Sequence, residues 1–177
     1  MNFVLSTLKR AAGPVLVAGL ALTSSATPAA AAQAPGSTAF RIFGGLVGLQ
    51  ARAGVNNHVT AVSSGGRLIL TDSTGIAIGP GCTRVSATSA DCGSVLTVTR
   101  LAIALGDGND TFDGSAAAVR TTADAGTGTD SVTTDGSDDV IGVEDNAGGD
   151  TVNCGSGADT VFADPGDNIA ANCERQL

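Results

Sequence analysis

Residues 106–112 read GDGNDTF, residues 126–132 read GTGTDSV and residues 146–152 read NAGGDTV. These three segments share small residues, an aspartate and an apolar residue at fixed positions, and they recur at a constant interval along the chain. A second series lies between them, because residues 135–141 (DGSDDVI) align with residues 155–161 (GSGADTV) at the same interval. One 20-residue unit therefore contains two half-turns of unequal length, nine and eleven residues.

Each segment combines residue types that suit a tight turn followed by a strand. Glycines at alternate positions allow positive φ and let main-chain carbonyls come close to a cation. The aspartate two residues after the second glycine adds a short, hard oxygen ligand, and calcium takes six to eight such oxygens. The apolar residue two positions after the aspartate points inward, because side chains alternate along a strand. Turns of successive coils stack about 4.8 Å apart, so an ion between two turns would contact both.

The pattern G-x-G-x-D-x-apolar resembles the calcium-binding nonapeptide of repeats-in-toxin (RTX) proteins over about residues 105–169. The chain is also similar to small exported actinobacterial calcium-binding proteins. These combine a β-rich leader that contains a GxGC…C stretch with a short repeat array that ends near a final cysteine. In this chain the stretch runs from Gly79 to Cys92, and the final cysteine is Cys173. The resemblance implies an all-β fold, a parallel β-roll or β-solenoid with a β-rich N-terminal section. It also implies Ca²⁺ between stacked turns, in up to three sites. The residues implied at these sites are Gly106, Gly108, Asp110, Gly126, Gly128, Asp130, Asp139, Gly148, Asp150, Gly155, Gly157 and Asp159.

Two other interpretations of this half compete with a calcium-loaded solenoid. Its acidic composition, poor in aromatic residues, also fits a disordered tail, and a β-solenoid could form without metal. Disorder does not explain why the repeat period also positions Phe112, Val132 and Val152. A disordered segment needs no apolar register.

The N-terminal segment, residues 1–32, has the layout of a secretory signal peptide. Lys9 and Arg10 precede an apolar run at residues 11–22, and small residues follow up to Ala32. This run is shorter than the roughly 20 residues of a bilayer-spanning helix, although an N-terminal membrane anchor is the alternative. We predict a secreted protein, extracellular or at the cell surface, with three segments: a signal peptide (1–32), a β-rich N-terminal section (33–104) and calcium-binding repeats (105–177).

The N-terminal section shows strand patterns and no helical period. Val, Ile, Leu and Thr are concentrated in four stretches, and glycine-rich turn signals separate some of them. The stretches are residues 40–43, 58–63, 67–71 and 95–105.

Charge is distributed very unevenly along the chain. Cleavage after Ala32 would leave seven basic and 17 acidic residues, a net charge of −10. Residues 33–100 carry a net charge of +3, whereas residues 101–177 carry −13. A mature chain without lysine and with an acidic half is a poor nucleic-acid binder, so no nucleic-acid partner is expected. The acidic residues are 15 Asp and only two Glu. This bias indicates that the fold needs the shorter carboxylate for a geometric reason.

Four cysteines in an exported chain predict two disulfides. Three pairings are possible, and we predict the local ones, Cys82 with Cys92 and Cys154 with Cys173. The separation of the latter pair is close to one coil, so its members should lie in adjacent coils. A zinc site needs tighter ligand clusters, and the single histidine, His58, lies in a turn-like stretch.

Sequence patterns of common enzymes do not occur in the chain. It contains neither G-x-S-x-G nor H-E-x-x-H, and it has no Trp or Tyr to stack on sugars. Because parallel β-helices do host enzymes, a small polysaccharide lyase or hydrolase is the alternative hypothesis. We predict a non-catalytic, monomeric or weakly associating protein that uses calcium for folding and stability, as a cell-surface or matrix module. The sequence does not indicate its macromolecular partner.

Overall fold

The computed structural model describes residues 33–177, and the predicted signal peptide (1–32) lies outside the described residues. The described part contains sixteen β-strands and two short 3-10 turns, Phe43–Gly45 and Val95–Thr97. The strands are β1 (Ser37–Arg41), β2 (Leu46–Ala51), β3 (His58–Ser64), β4 (Arg67–Asp72), β5 (Ile76–Ile78), β6 (Thr83–Arg84), β7 (Ser89–Ser94), β8 (Arg100–Ala104), β9 (Thr111–Ala116), β10 (Thr121–Asp124), β11 (Ser131–Thr133), β12 (Val140–Gly142), β13 (Thr151–Asn153), β14 (Thr160–Phe162), β15 (Asn168–Ile169) and β16 (Arg175–Gln176).

The strands form two sheets of eight strands each. From β8 onward the chain alternates between them: even-numbered strands lie in the first sheet and odd-numbered strands in the second. All neighbouring strands in this region run parallel. Each coil therefore gives one strand to each sheet, and turns connect the sheets on both sides. The predicted all-β fold with the parallel strands of a β-roll or β-solenoid is confirmed.

The strands β2 and β3 form one more coil ahead of the repeats. β2 pairs in parallel with β8 and β3 with β9, so both sheets continue across residue 104. The remaining N-terminal strands add to the same sheets. β4, β6 and β7 extend the second sheet with antiparallel pairings, and β1 and β5 extend the first. These strands cover the backbone edge of the first coil, which would otherwise be open to another chain.

Two rows of apolar side chains form the core between the sheets. Each row runs across successive coils at one register position, so every coil packs on the next. Each of these side chains is at most 2% exposed. The rows are Val59, Phe112, Val132 and Val152 in the second sheet, and Leu49, Ile103, Ala123, Ile141 and Val161 in the first.

The two disulfides join Cys82 to Cys92 and Cys154 to Cys173, as predicted. The Cα atoms of the second pair are 5.3 Å apart, a distance expected for adjacent coils. Disulfides persist in oxidising environments such as the cell exterior. Within residues 33–177, no helix has the length and apolar character needed to cross a membrane.

Candidate metal centre

In the second sheet, the residue immediately before each of β3, β9, β11, β13 and β15 lies next to its counterpart in the neighbouring coil, because these strands pair in register. We call this row the first stack, and most of its members are carboxylates. The predicted aspartates occupy its centre. The stack consists of Asn57, Asp110, Asp130, Asp150 and Asp167.

Neighbouring members of the first stack are joined by charge-assisted hydrogen bonds. The Oδ1 atom of Asp110 accepts the main-chain N–H of Asn57 at 2.6 Å. Asp130 accepts the N–H of Asp110 at 2.7 Å, and Asp150 accepts that of Asp130 at 2.7 Å. Asp167 ends the row by accepting the N–H of Asp150 at 3.1 Å. Each carboxylate thus binds the main chain one coil earlier.

A second stack lies on the opposite side, at the start of strands of the first sheet: its first member begins β10, and the others immediately precede β12, β14 and β16. It consists of Thr121, Asp139, Asp159 and Glu174. Asp139 accepts the N–H of Thr121 at 2.6 Å, and Asp159 accepts that of Asp139 at 2.8 Å. Glu174 accepts the N–H of Asp159 at 2.9 Å. The two predicted rows of aspartates therefore both occur, each with the same bonding pattern.

The second carboxylate oxygen, Oδ2, is buried without a hydrogen-bond partner in four of these aspartates. The four are Asp110, Asp130, Asp139 and Asp159, and each is at most 3% exposed. An unpaired buried carboxylate oxygen costs free energy unless a proton or a cation neutralises it. No basic side chain does so, because the one salt bridge among the described residues joins Arg67 and Asp91.

Burial raises the pKa of every aspartate that holds an inner position of the stacks. The pKa of Asp130 and that of Asp139 rise to about 6. Loss of hydration is the largest cause, the main-chain N–H donors oppose it, and neighbouring carboxylates raise the pKa further. The pKa values of Asp110, Asp150 and Asp159 are raised for the same first reason. Near pH 7 and above, Asp130 and Asp139 are therefore mostly ionised, so each stack carries buried negative charge.

Glycines of one turn lie directly against main-chain carbonyls of the previous turn. A Cβ atom on Gly126 would lie 1.8 Å from the carbonyl oxygen of Gly106, and one on Gly128 would lie 1.7 Å from that of Gly108. The φ angles of Gly126 and Gly128 are +85° and +146°, so glycine is needed for conformation as well as for space. On the opposite side, the carbonyl oxygens of Asp135 and Ser137 face Gly155 and Gly157.

The turn before Asp150 departs from the other two turns of its stack. Asn146 has positive φ like Gly106 and Gly126, but the next positive φ belongs to Gly149 and not to Gly148. The main-chain N–H groups of Asp145 and Asn146 both bind the Asp164 carboxylate. Gly148, one of the predicted site residues, thus does not reproduce the backbone conformation of Gly108 and Gly128.

Four stack members were not among the predicted site residues: Thr121, which has neither a carboxylate nor a carboxamide, and three that have one. Asp167 follows Asp150 at a separation of 17 and Glu174 follows Asp159 at a separation of 15, so both fall outside the repeat period. Asn57 precedes Asp110 at a separation of 53, because β4–β7 are inserted between them. A search for a carboxylate or carboxamide immediately before each strand, whatever the spacing, would have found all three.

The donor set of the turns suits a hard cation that main-chain and carboxylate oxygens hold together. Within residues 33–177, no group of three or more His, Cys, Asp or Glu side chains converges as a metal cluster. The carboxylates are instead arranged one per coil. A cation here would need main-chain carbonyls of the turns as well as the unpaired Oδ2 atoms. The residues therefore fit calcium, which accepts mixed oxygen ligands with flexible geometry.

A separate open depression of about 430 Å³ lies near the start of the second stack. Its lining residues are Ser115, Ala116, Ala118, Asp135, Gly136 and Ser137. Both carboxylate oxygens of Asp135 accept main-chain N–H groups, from Val119 at 2.9 Å and Ser137 at 2.7 Å. The depression thus contains one carboxylate, and that carboxylate is already engaged.

The fold and its stacks were compared with known proteins in three ways. Neither a scan against protein-family models nor searches of curated proteins and of solved structures found a match.

Proposed function

We propose that this is an exported calcium-binding protein, in which calcium bound between stacked turns stabilises a non-catalytic β-solenoid. The observation that carries the proposal is the set of four buried Oδ2 atoms without partners. They lie in rows on both sides of the solenoid, next to turns whose carbonyl oxygens face glycines of the following coil. Such oxygens are the ligands that calcium prefers.

In the first stack, Asp110, Asp130 and Asp150 would hold calcium together with carbonyl oxygens of the Gly106–Asp110 and Gly126–Asp130 turns. In the second stack, Asp139 and Asp159 would do so. The ion supplies positive charge and no chemistry beyond that. The hydrogen bonds from the previous coil to Oδ1 orient each carboxylate, which leaves Oδ2 for the ion.

The charge of the repeat half supports a role for calcium in folding. Residues 101–177 carry a net charge of −13, and their inner carboxylates are buried one coil apart. Packing them without a counter-ion is opposed by desolvation and by mutual repulsion. A cation that binds only the stacked turns would therefore couple binding to folding. We expect an affinity of about 10⁻⁴ to 10⁻³ M, which is typical of extracellular calcium modules.

Calorimetric titration of the disulfide-bonded secreted chain with calcium, with far-ultraviolet circular dichroism before and after, tests the proposal. We expect saturable calcium binding, a cooperative gain of β signal, and loss of that signal in chelator. Magnesium serves as the control, because it prefers strict octahedral geometry and retains its water. A chain that binds no calcium and keeps the same spectrum in chelator would refute the proposal.

The hydrogen bonds to Oδ1 favour a second candidate, a β-solenoid that needs no metal. In that case the aspartates serve as acceptors that join the coils, and they carry protons where they are buried. The two candidates differ in the same titration, because a metal-free solenoid shows no heat of calcium binding.

The enzyme alternative predicts cleavage of a polysaccharide. The Asp135 depression does not favour it, since general acid–base chemistry uses two groups free to exchange protons and this depression holds one engaged carboxylate. Incubation of the secreted chain with a panel of acidic and neutral polysaccharides, followed by reducing-sugar and unsaturated-product assays, tests this alternative. Activity that depends on calcium only through folding would still identify an enzyme.

A further inference from the structure

Asn57 occupies the position of the repeat aspartates in the first coil, although its surroundings lack the repeat pattern. It is fully buried, and its main-chain N–H donates to Oδ1 of Asp110. Its side-chain oxygen, Oδ1, has no hydrogen-bond partner. A buried amide oxygen without a partner is costly, so the site calls for a ligand at this atom.

The orientation of this carboxamide is fixed by its other end. The Nδ2 atom donates to the Asp72 carboxylate at 2.7 Å, to the Thr74 hydroxyl at 3.0 Å and to the Gly36 carbonyl at 3.1 Å. The carboxylate and the carbonyl can only accept. A flipped amide would place its oxygen against these acceptors, so the unpaired atom is the oxygen.

The first turn also reproduces the contact between a carbonyl and a glycine that is seen in the repeats. The carbonyl oxygen of Val55 lies 2.9 Å from the position of a Cβ atom on Gly108. In the repeats the carbonyl of Gly108 faces Gly128 more closely, at 1.7 Å from the corresponding Cβ position. Val55 precedes Asn57 by two residues, just as Gly108 precedes Asp110. The two turns share this one contact, whereas the positive φ of the first turn lies at Gly54 and none of its carbonyls faces Gly106.

We propose that Asn57 is a calcium ligand of a further site, between the turn at residues 53–57 and the Gly106–Asp110 turn. The inference rests on the proposed function. Its donors are the Asn57 Oδ1 atom, the Val55 carbonyl oxygen and the unpaired Oδ2 atom of Asp110. The site joins the N-terminal section to the repeats, because Asn57 is also hydrogen-bonded to Asp72 and Thr74 of that section.

This site carries less negative charge than those of the repeats, since an amide replaces one of the two stacked carboxylates. Fewer charged ligands weaken calcium binding. The additional ion should therefore bind last in a titration, after the ions in the repeat turns.

Two variants of the full secreted chain separate a ligand role from a structural one. Asn57→Leu removes the oxygen and the amide donors together. The double substitution Asn57→Asp with Asp72→Asn exchanges the two groups. It preserves an oxygen at 57, the hydrogen bond between the two positions and the net charge, and it gives up the amide contact with the Gly36 carbonyl. Bound calcium per chain is counted by equilibrium dialysis with elemental analysis at saturating calcium.

We expect Asn57→Leu to bind one calcium ion fewer than the unmodified chain, and the exchanged variant to regain that ion. Equal counts for all three chains would overturn the inference, and so would loss of the ion in both variants. An unmodified chain that binds no calcium would instead refute the proposed function, so the two failures are distinguishable.

A second measurement covers the case in which Asn57→Leu does not fold. The side-chain carboxamide resonances of Asn57 in the unmodified chain are followed during the calcium titration, with magnesium as the control. We expect a shift that saturates in the last binding step. Resonances that do not move with calcium would overturn the inference.

Discussion

Replacing Asp130 by asparagine should change the stability of the protein in opposite directions with and without calcium. Asp130 lies in the middle of the first stack, and its Oδ1 atom accepts the N–H of Asp110 at 2.7 Å. Its Oδ2 atom is buried and has no partner. Asparagine keeps an oxygen that can accept the N–H of Asp110, and it replaces the charged Oδ2 atom by a neutral amide group.

Without calcium, the substitution removes the cost of burying an ionised carboxylate. The pKa of Asp130 rises from its ordinary value of 3.8 to about 6, which corresponds to about 3 kcal/mol of unfolding free energy above pH 7. The new amide leaves an unpaired buried N–H group, which costs about 1–3 kcal/mol. The net change should therefore lie between zero and a stabilisation of about 2 kcal/mol.

With calcium, the same substitution should be destabilising. An ion present at 10–100 times its dissociation constant adds about 1.4–2.7 kcal/mol to the unfolding free energy. Asp130 has carboxylate neighbours in the coils on both sides, Asp110 and Asp150, so it would serve two sites. Its loss should remove about 3–5 kcal/mol of calcium stabilisation at about 10 mM calcium, and with the gain expected without calcium the net destabilisation is about 1–5 kcal/mol.

Urea unfolding followed by far-ultraviolet circular dichroism measures both values, because the chain has no Trp or Tyr for fluorescence. Asp113→Asn is the matched control. Asp113 is exposed, and its Oδ1 atom contacts only Ser115 of its own strand, so we expect a change below about 0.5 kcal/mol in either buffer. A loss of stability for Asp130→Asn that is the same in calcium and in chelator would refute the reasoning, since the carboxylate would then act only as a hydrogen-bond acceptor.

Three further predictions concern the pH dependence, the glycine turns and the terminal disulfide. In chelator, the unfolding free energy should fall as pH rises from about 4 through about 6, because the raised pKa values of Asp130 and Asp139 make the folded chain bind more protons than the unfolded chain there. Urea unfolding curves measured across this range should show the fall and then a constant unfolding free energy at higher pH. A rise with pH would contradict the burial argument. Gly128→Ala should cost roughly 2–4 kcal/mol of unfolding free energy, since its Cβ would meet a carbonyl oxygen at 1.7 Å at positive φ. Gly136→Ala, with no heavy atom closer than 3.9 Å, is its control in the same urea experiment. Cys173→Ser should expose the last coil to hydrogen exchange while β11 stays protected. Removing a cross-link with a loop this short costs about 3 kcal/mol, and an end coil packs against one neighbour only. Uniform loss of protection along the repeats would contradict this.

The repeats could be predicted from the sequence because each coil repeats its glycines, its aspartate and its apolar residue at a constant spacing. The repeat period translates directly into parallel pairing, with Val132 opposite Phe112 and Val152. The apolar row and both aspartate rows follow from that register. The local disulfides were predictable for a related reason, since one coil separates Cys154 from Cys173.

The first coil was not predictable from the period, because β2 and β3 share no glycine–aspartate pattern with the repeats. What they share is an apolar residue at one register position, such as Val59 opposite Phe112. An insertion of four strands separates these two residues along the chain. The edge of β9 that does not pair with β11 accepts β3, and the glycine–aspartate period does not report this pairing.

The preference for aspartate over glutamate, evident in the composition, has a structural reason. Neighbouring coils lie about 4.8 Å apart, and the Oδ1 atom must reach a main-chain N–H of the adjacent coil. The inner aspartates achieve this at 2.6–2.8 Å while remaining buried. A side chain one methylene longer would have to fold back within the same space. Glutamate occurs in the stacks only as Glu174, at the exposed end, where the separation from Asp159 is shortened to 15. The identity of the carboxylate is therefore set by the spacing between coils, and the same arrangement leaves the second oxygen of four of these five aspartates buried without a hydrogen-bond partner.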